Sequence, residues 1–107
     1  MVWGLRYIEY LRKNWRDIAE RVKEVAQRYG KVHRIVVFGS VIKDEITGSS
    51  DLDIAIFYDE NLSNKEKLRR TLNILNELEE EVAIDLKVMR KDEEEFFLNL
   101  VGKYVDM

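Results

Sequence analysis

At 107 residues, 46% of them apolar and 36% charged, the chain can fill one modest core, so a single domain spanning 1–107 is expected. It has no cysteine and one histidine, His33, which excludes disulfides and thiolate chemistry and leaves little for a zinc centre or a Ser-His-Asp triad. No apolar run approaches the ~18–20 residues of a bilayer span, and the N-terminus lacks a signal-peptide pattern, so a cytoplasmic protein with no membrane partner is expected.

The net charge of −3 is unevenly spread: residues 1–36 balance to +5 and residues 37–107 to −8. A basic first helix could meet nucleic acid or an acidic partner. Its bases, however, are interleaved with Glu9, Asp17, Glu20 and Glu24. That makes a solvated helix face the simpler reading and nucleic acid the weakest of the partner readings.

Residues 5–29 read as one long helix, because Ile8, Leu11, Trp15, Ile18, Val22, Val25 and Tyr29 follow spacings of three and four, with Gly30 as the stop. Such a stripe would serve a coiled coil or a helix lying on a sheet, and the second is expected. Trp3, Tyr7 and Tyr10 fall beside the stripe, as an aromatic surface for a partner or a second copy, or as a cap on one end of the core. The run "VHRIVVF" (32–38) is β-branched and apolar, a buried strand with His33 as an ordinary residue at its entrance. A second strand, "LDIAIFY" (52–58), alternates: Leu52, Ile54 and Ile56 share one face, and Asp51, Asp53 and Ala55 the other. Ser63 and Glu66 form a capping-box pattern that opens a helix whose expected apolar face is Leu68, Leu72, Leu75 and Leu78. The third strand, "VAIDLKVM" (82–89), sets Val82, Ile84, Leu86 and Val88 against Ala83, Asp85 and Lys87. Asp92 and Glu93 to Glu95 suit the start of a last helix, docked through Phe96, Phe97, Leu100, Val101 and Tyr104. The order α-β-β-α-β-α predicts an α+β fold, a small mixed β-sheet with its helices on one face.

Each aspartate-bearing strand places its acid opposite its apolar face. Asp51, Asp53 and Asp85 therefore converge if the strands 52–58 and 82–89 are neighbours. Clustered carboxylates raise one another's pKa unless a cation neutralises them, and a hard divalent ion is the natural neutraliser. Gly39 and Ser40, at the end of the first strand, suit a close backbone approach to phosphate. The Walker spacing is absent.

The run "FGS" followed by "SSDLD", with eleven positions from Gly39 to Ser50, resembles the signature of the polymerase-beta-like nucleotidyltransferase superfamily. The likeness covers roughly residues 30–90, and the layout is similar to the minimal, antitoxin-type single-domain members that pair with a helical HEPN-type toxin. The resemblance implies that Gly39, Ser40 and Ser50 hold a nucleoside triphosphate, ATP by expectation. It also implies that Asp51, Asp53 and Asp85 bind Mg2+ or Mn2+, with Asp85 alternatively activating the acceptor hydroxyl. The implied reaction moves a nucleoside monophosphate from the triphosphate to a hydroxyl on a partner protein. A non-catalytic module of the same fold that neutralises or scaffolds a partner is the alternative. The pattern departs from the family at Asp44, where a second glycine is common.

Overall fold

The apolar stripe of the N-terminal segment folds as α1, Val2–Gln27, and buries Leu11, Ile18, Ala19, Val22, Val25 and Ala26, while Ile8 and Trp15 stay half-buried at its rim. The computed structural model describes residues 2–107, with side chains from residue 4 onward, so Trp3 of the expected aromatic surface lies outside the described side chains. The helix ends two residues before the expected boundary. The amides of Arg28 and Tyr29 close a tighter final turn on the carbonyls of Val25 and Ala26. Gly30 beyond it leaves room for an ion pair, since a Cβ there would overlap the paired side chains of Glu60 and Arg70.

Four strands form one sheet in the order β3-β2-β1-β4, where β1 is Val32–Phe38, β2 is Leu52–Tyr58, β3 is Ile84–Arg90 and β4 is Tyr104–Asp106. The pairs β1–β2 and β1–β4 are antiparallel and β2–β3 is parallel, so the sheet is mixed as expected. A parallel neighbour needs a crossover connection, and α2 (Asn64–Glu77) supplies it between β2 and β3, opened by the capping box of Ser63 with Glu66.

The strand alternation divides the sheet into two faces. Ile35 and Val37, Leu52, Ile54, Ile56 and Tyr58, and Leu86 and Val88 meet α1 and α2 in the main core. At the end of β2 the buried Tyr58 hydroxyl donates to the Ala26 carbonyl at 2.7 Å, and Arg70 lies over the Tyr58 ring. Helices were expected on this face alone, but the other face is covered in part by α3, Glu94–Val101. Val36, Phe38, Ala55 and Phe57 are apolar on that side and bury against Phe97 and Leu98, with Phe97 edge-on to both Phe38 and Phe57.

Three expectations change with the packing. First, β4 takes Tyr104 out of the last helix. Its three residues are too few for a readable period, and distant contacts hold it: Arg34 grips Asp106 through two bonds of 2.6 and 2.9 Å, and the Met107 amide donates to the Ile35 carbonyl. Second, α2 docks through Ile74, fully buried, with Leu75 and Leu78 half-buried, whereas Leu68 and Leu72 face outward at 61% and 58% exposure. Arg70 and Lys67 occupy the inward positions that leucines were expected to fill, paired with Glu60 and Glu93. Third, a single 3-10 turn at Lys91–Glu93 precedes α3, which sends Phe96 and Leu100 to solvent and leaves Phe97 and Leu98 to dock.

The α2 correction has a direct check by urea unfolding. Ile74→Ala is expected to cost about 2–5 kcal/mol. Leu68→Ala is expected to stay within about 0.5 kcal/mol of the parent. A large loss at Leu68 would restore the leucine face.

Candidate active site

Parallel pairing of β2 and β3 aligns Asp53 directly with Asp85, both on the face opposite the main core. The register brings the two carboxyl groups side by side, and Lys87 on the same face of β3 brings its ammonium to 3.5 Å from Asp85 Oδ1. Partial burial, then the charge and hydrogen bond of Asp85, then the charge of Asp51, push the Asp53 carboxyl up to about 6, with Lys87 pulling slightly the other way. Asp51 stands just before β2, exposed, where no strand partner draws it inward. Its charge reaches Asp53, yet the expected convergence of three acids is a close pair with a third at its margin. Among the described residues, no three His, Cys, Asp or Glu side chains form a ready cation cage.

The end of β1 lies alongside. Phe38 pairs with Asp53 in register, and Gly39 follows with φ of 78°, in the region that favours glycine. A Cβ on Gly39 would overlap Asp53 Oδ2. The glycine thus admits the carboxylate itself, a more specific role than a turn. Beyond it comes a single 3-10 turn, Gly39–Val41, on whose first carbonyl the amides of Ile42 and Lys43 both close. The half-buried Ser40 accepts from the Glu45 amide through its carbonyl at 2.8 Å. At the far end of the loop Ser50 is half-buried, and its hydroxyl accepts from the Thr47 amide at 2.8 Å.

Asp44, the departure in the loop, is the one non-glycine residue at positive φ among those described, at 55°. Aspartate is among the few side chains that enter this region readily, so the chain makes a left-handed turn here without a glycine. Its exposed carboxylate sits 3.5 Å from Arg12 Nη2 on α1. Two neighbours of the site went unassigned in the sequence. Lys87 had a signal, since the period of two puts it on the face of Asp85. Tyr7, which the sequence places only in an aromatic surface or core cap, donates its hydroxyl to the Ser50 carbonyl at 2.5 Å across 43 positions, a contact that no local pattern encodes.

Two repelling carboxylates beside an open glycine backbone suit a hard divalent cation, which commonly takes one or two carboxylates and completes its shell with substrate phosphates. Among the described residues, Lys87 is the cation paired with Asp85.

The sequence model of the family described as Polymerase beta, Nucleotidyltransferase matches residues 20–104, from the last third of α1 into β4. Among solved structures, a candidate nucleotidyltransferase from Sulfolobus solfataricus superimposes with a TM-score of 0.60 at 17% identity, over 95% of this chain and 79% of that one. At that identity the likeness is one of fold. No curated protein sequence matches significantly.

Two expectations test the electrostatics of this pair. The Asp53 pKa is raised on folding, so its contribution to stability is complete below about pH 4 and is lost as pH rises through about 6. Asp53→Asn removes both the partly buried charge and its repulsion by Asp85, so at pH 7 it should stabilise the fold by about 1–2 kcal/mol after allowance for solvent screening. The gain should vanish at pH 4, as read from thermal midpoints at the two pH values; equal gains at both would refute the cost of ionising Asp53 in the folded chain. Gly39→Ala should destabilise at every pH by about 1–2 kcal/mol from backbone strain, to which the overlap with Asp53 adds, and a neutral outcome by chemical denaturation would overturn both the left-handed turn and the close approach of Asp53.

Proposed function

This chain belongs to the polymerase-beta nucleotidyltransferase family, and from that premise we propose that it is an enzyme that transfers a nucleoside monophosphate from a nucleoside triphosphate to a hydroxyl. The observation that carries the proposal is the Asp53–Asp85 pair aligned across parallel strands, with the Gly39 backbone laid against Asp53. Asp53 and Asp85, with Asp51 at the margin, would hold Mg2+ or Mn2+. When bound, the ion would neutralise the carboxylates and the charge developing on the phosphoryl oxygens.

The residues of the chain do the positioning. Gly39, Ser40 and Ser50 line the loop side of the pair and would bind the triphosphate, ATP in this proposal, through backbone amides and hydroxyls. The acceptor oxygen attacks the α-phosphorus, the bond to the bridging oxygen breaks, and pyrophosphate leaves. Asp85 is suited to take the acceptor proton, because its carboxylate lies on the open face beside Asp53. Lys87 would offer its charge to the phosphates or to the leaving group. Catalysis of this kind is mainly orientation and charge neutralisation.

The acceptor in this proposal is a protein hydroxyl, on a helical HEPN-type toxin that modification would silence. Exposed apolar side chains support a protein partner: Phe96 and Leu100 lie one turn apart on α3, at 75% and 72% exposure. Arg12, Arg21 and Arg28 on α1 are engaged with Asp44, Glu80 and Glu77, which weakens the case for a nucleic-acid track.

The test uses α-phosphate-labelled ATP, GTP, CTP and UTP with Mg2+ or Mn2+ and the products of neighbouring genes as acceptors. Label is expected on one acceptor protein. Asp53→Asn should lower the rate by about 100-fold or more, the usual scale for a lost electrostatic contact to the transition state. Undiminished transfer by that variant would overturn the site assignment. Tight binding of a partner with no transfer under any condition would establish the non-catalytic module instead.

A further inference from the structure

The first turns of α1 touch the loop that leads into the site at three points, one of them through Tyr7, whose ring also packs against the main core. The Tyr7 hydroxyl donates to the Ser50 carbonyl at 2.5 Å. Gly4 and Gly48 bring two backbones together so closely that a Cβ on Gly48 would lie 3.3 Å from the Gly4 Cα. Arg12 reaches Asp44 at the opposite end of the loop. The loop is also held by its own short-range bonds, those of Thr47 with Ser49 and Ser50 and of Ser40 with Glu45, and by Val41, Ile42 and Ile46 packed on the main core.

We infer that Tyr7 is a positioning residue for Asp51. The carbonyl it grips belongs to the peptide unit that carries the Asp51 amide, so fixing that oxygen fixes the plane from which the Asp51 backbone departs. Two residues on, the Leu52 amide donates to the Ala83 carbonyl at 2.8 Å, which joins the same segment to the approach to β3. Asp51 therefore sits between two anchors, one on the helix and one beside the neighbouring strand. It is exposed and has no strand partner, so without the helix anchor its carboxylate would sample a wider range than the Asp53–Asp85 pair. Two adjacent glycines let α1 come near enough for the phenol to reach, which gives the Gly4–Gly48 approach a purpose. This role rests on the reading of Asp51 as a cation ligand, and the anchor itself is measurable apart from that reading.

The variants are Tyr7→Phe, which deletes only the hydroxyl, Gly48→Ala, which crowds Gly4, and Tyr10→Phe as a control on the same helix. Two measurements apply: Mn2+ affinity by electron paramagnetic resonance, and amide hydrogen exchange of the ligand-free chain. Tyr7→Phe is expected to weaken Mn2+ binding about five- to tenfold, the scale of one hydrogen bond, and to speed Leu52 amide exchange by a similar factor. Ile35–Val37 should be unchanged. Gly48→Ala should shift both in the same direction, and Tyr10→Phe should leave both within about twofold. In an Asp51→Asn background, Tyr7→Phe should cause no further loss of Mn2+ affinity, because its effect passes through Asp51. A general loosening of the fold would still add there, and that result overturns the role, as does Mn2+ affinity or Leu52 exchange that Tyr7→Phe leaves unaltered. Should the parent chain bind no Mn2+, the cation reading of the site fails, and exchange at Leu52 alone then supports or overturns the anchor.

Discussion

Two carboxylates side by side on adjacent parallel strands are the constraint around which this fold is arranged. Asp53 and Asp85 are brought together by register, each one residue into its strand, and neither can move away without breaking the ladder. Like charges so placed destabilise the native state at neutral pH, and the Asp53 pKa is raised first by partial burial and then by the charge of Asp85. A chain built for stability alone would put neutral or opposite charges at such a pair. The single nearby lysine only partly relieves it.

The rest of the sheet makes the conflict tolerable. One face is continuous apolar surface under α1 and α2, and it contains most of the buried side chains. The other face is split along its length. Phe38, Ala55 and Phe57 lie against Phe97, and although Phe38 pairs with Asp53, the end that carries Asp53 and Asp85 stays only half-buried. Extending the apolar cover to that end would desolvate both carboxylates and push them further towards protonation. Gly39 contributes by omission, since its missing Cβ is the volume that the Asp53 oxygen occupies.

The parts of this arrangement written in local pattern were legible. The strands 32–38 and 52–58 follow from β-branched and alternating residues, and both match the observed bounds. The alternation also placed Asp53 and Asp85 on the face away from the core, and the family resemblance agreed with the fold. What remained hidden depends on partners distant in sequence. Tyr104–Asp106 is a strand because Arg34 and Ile35 hold it, and no window of three residues encodes that. Leu68 and Leu72 looked like a core face because leucines four apart usually are, but the helix is rolled so that Ile74 faces inward, with Arg70 over Tyr58. Asp51 shares the parity of Asp53, yet it lies one residue outside the ladder, and parity carries no positional guarantee beyond the last paired residue. Asp44 breaks the family pattern in composition while its φ of 55° still makes a left-handed turn.

The most direct test of the account is the ionisation of Asp53 itself, followed by carboxyl-carbon NMR with and without Mg2+. The account predicts a midpoint of about 6 in the metal-free chain, moving to lower pH as Mg2+ is added, because the cation favours the charged form. A midpoint near the ordinary aspartate value of 3.8, unmoved by Mg2+, would contradict it.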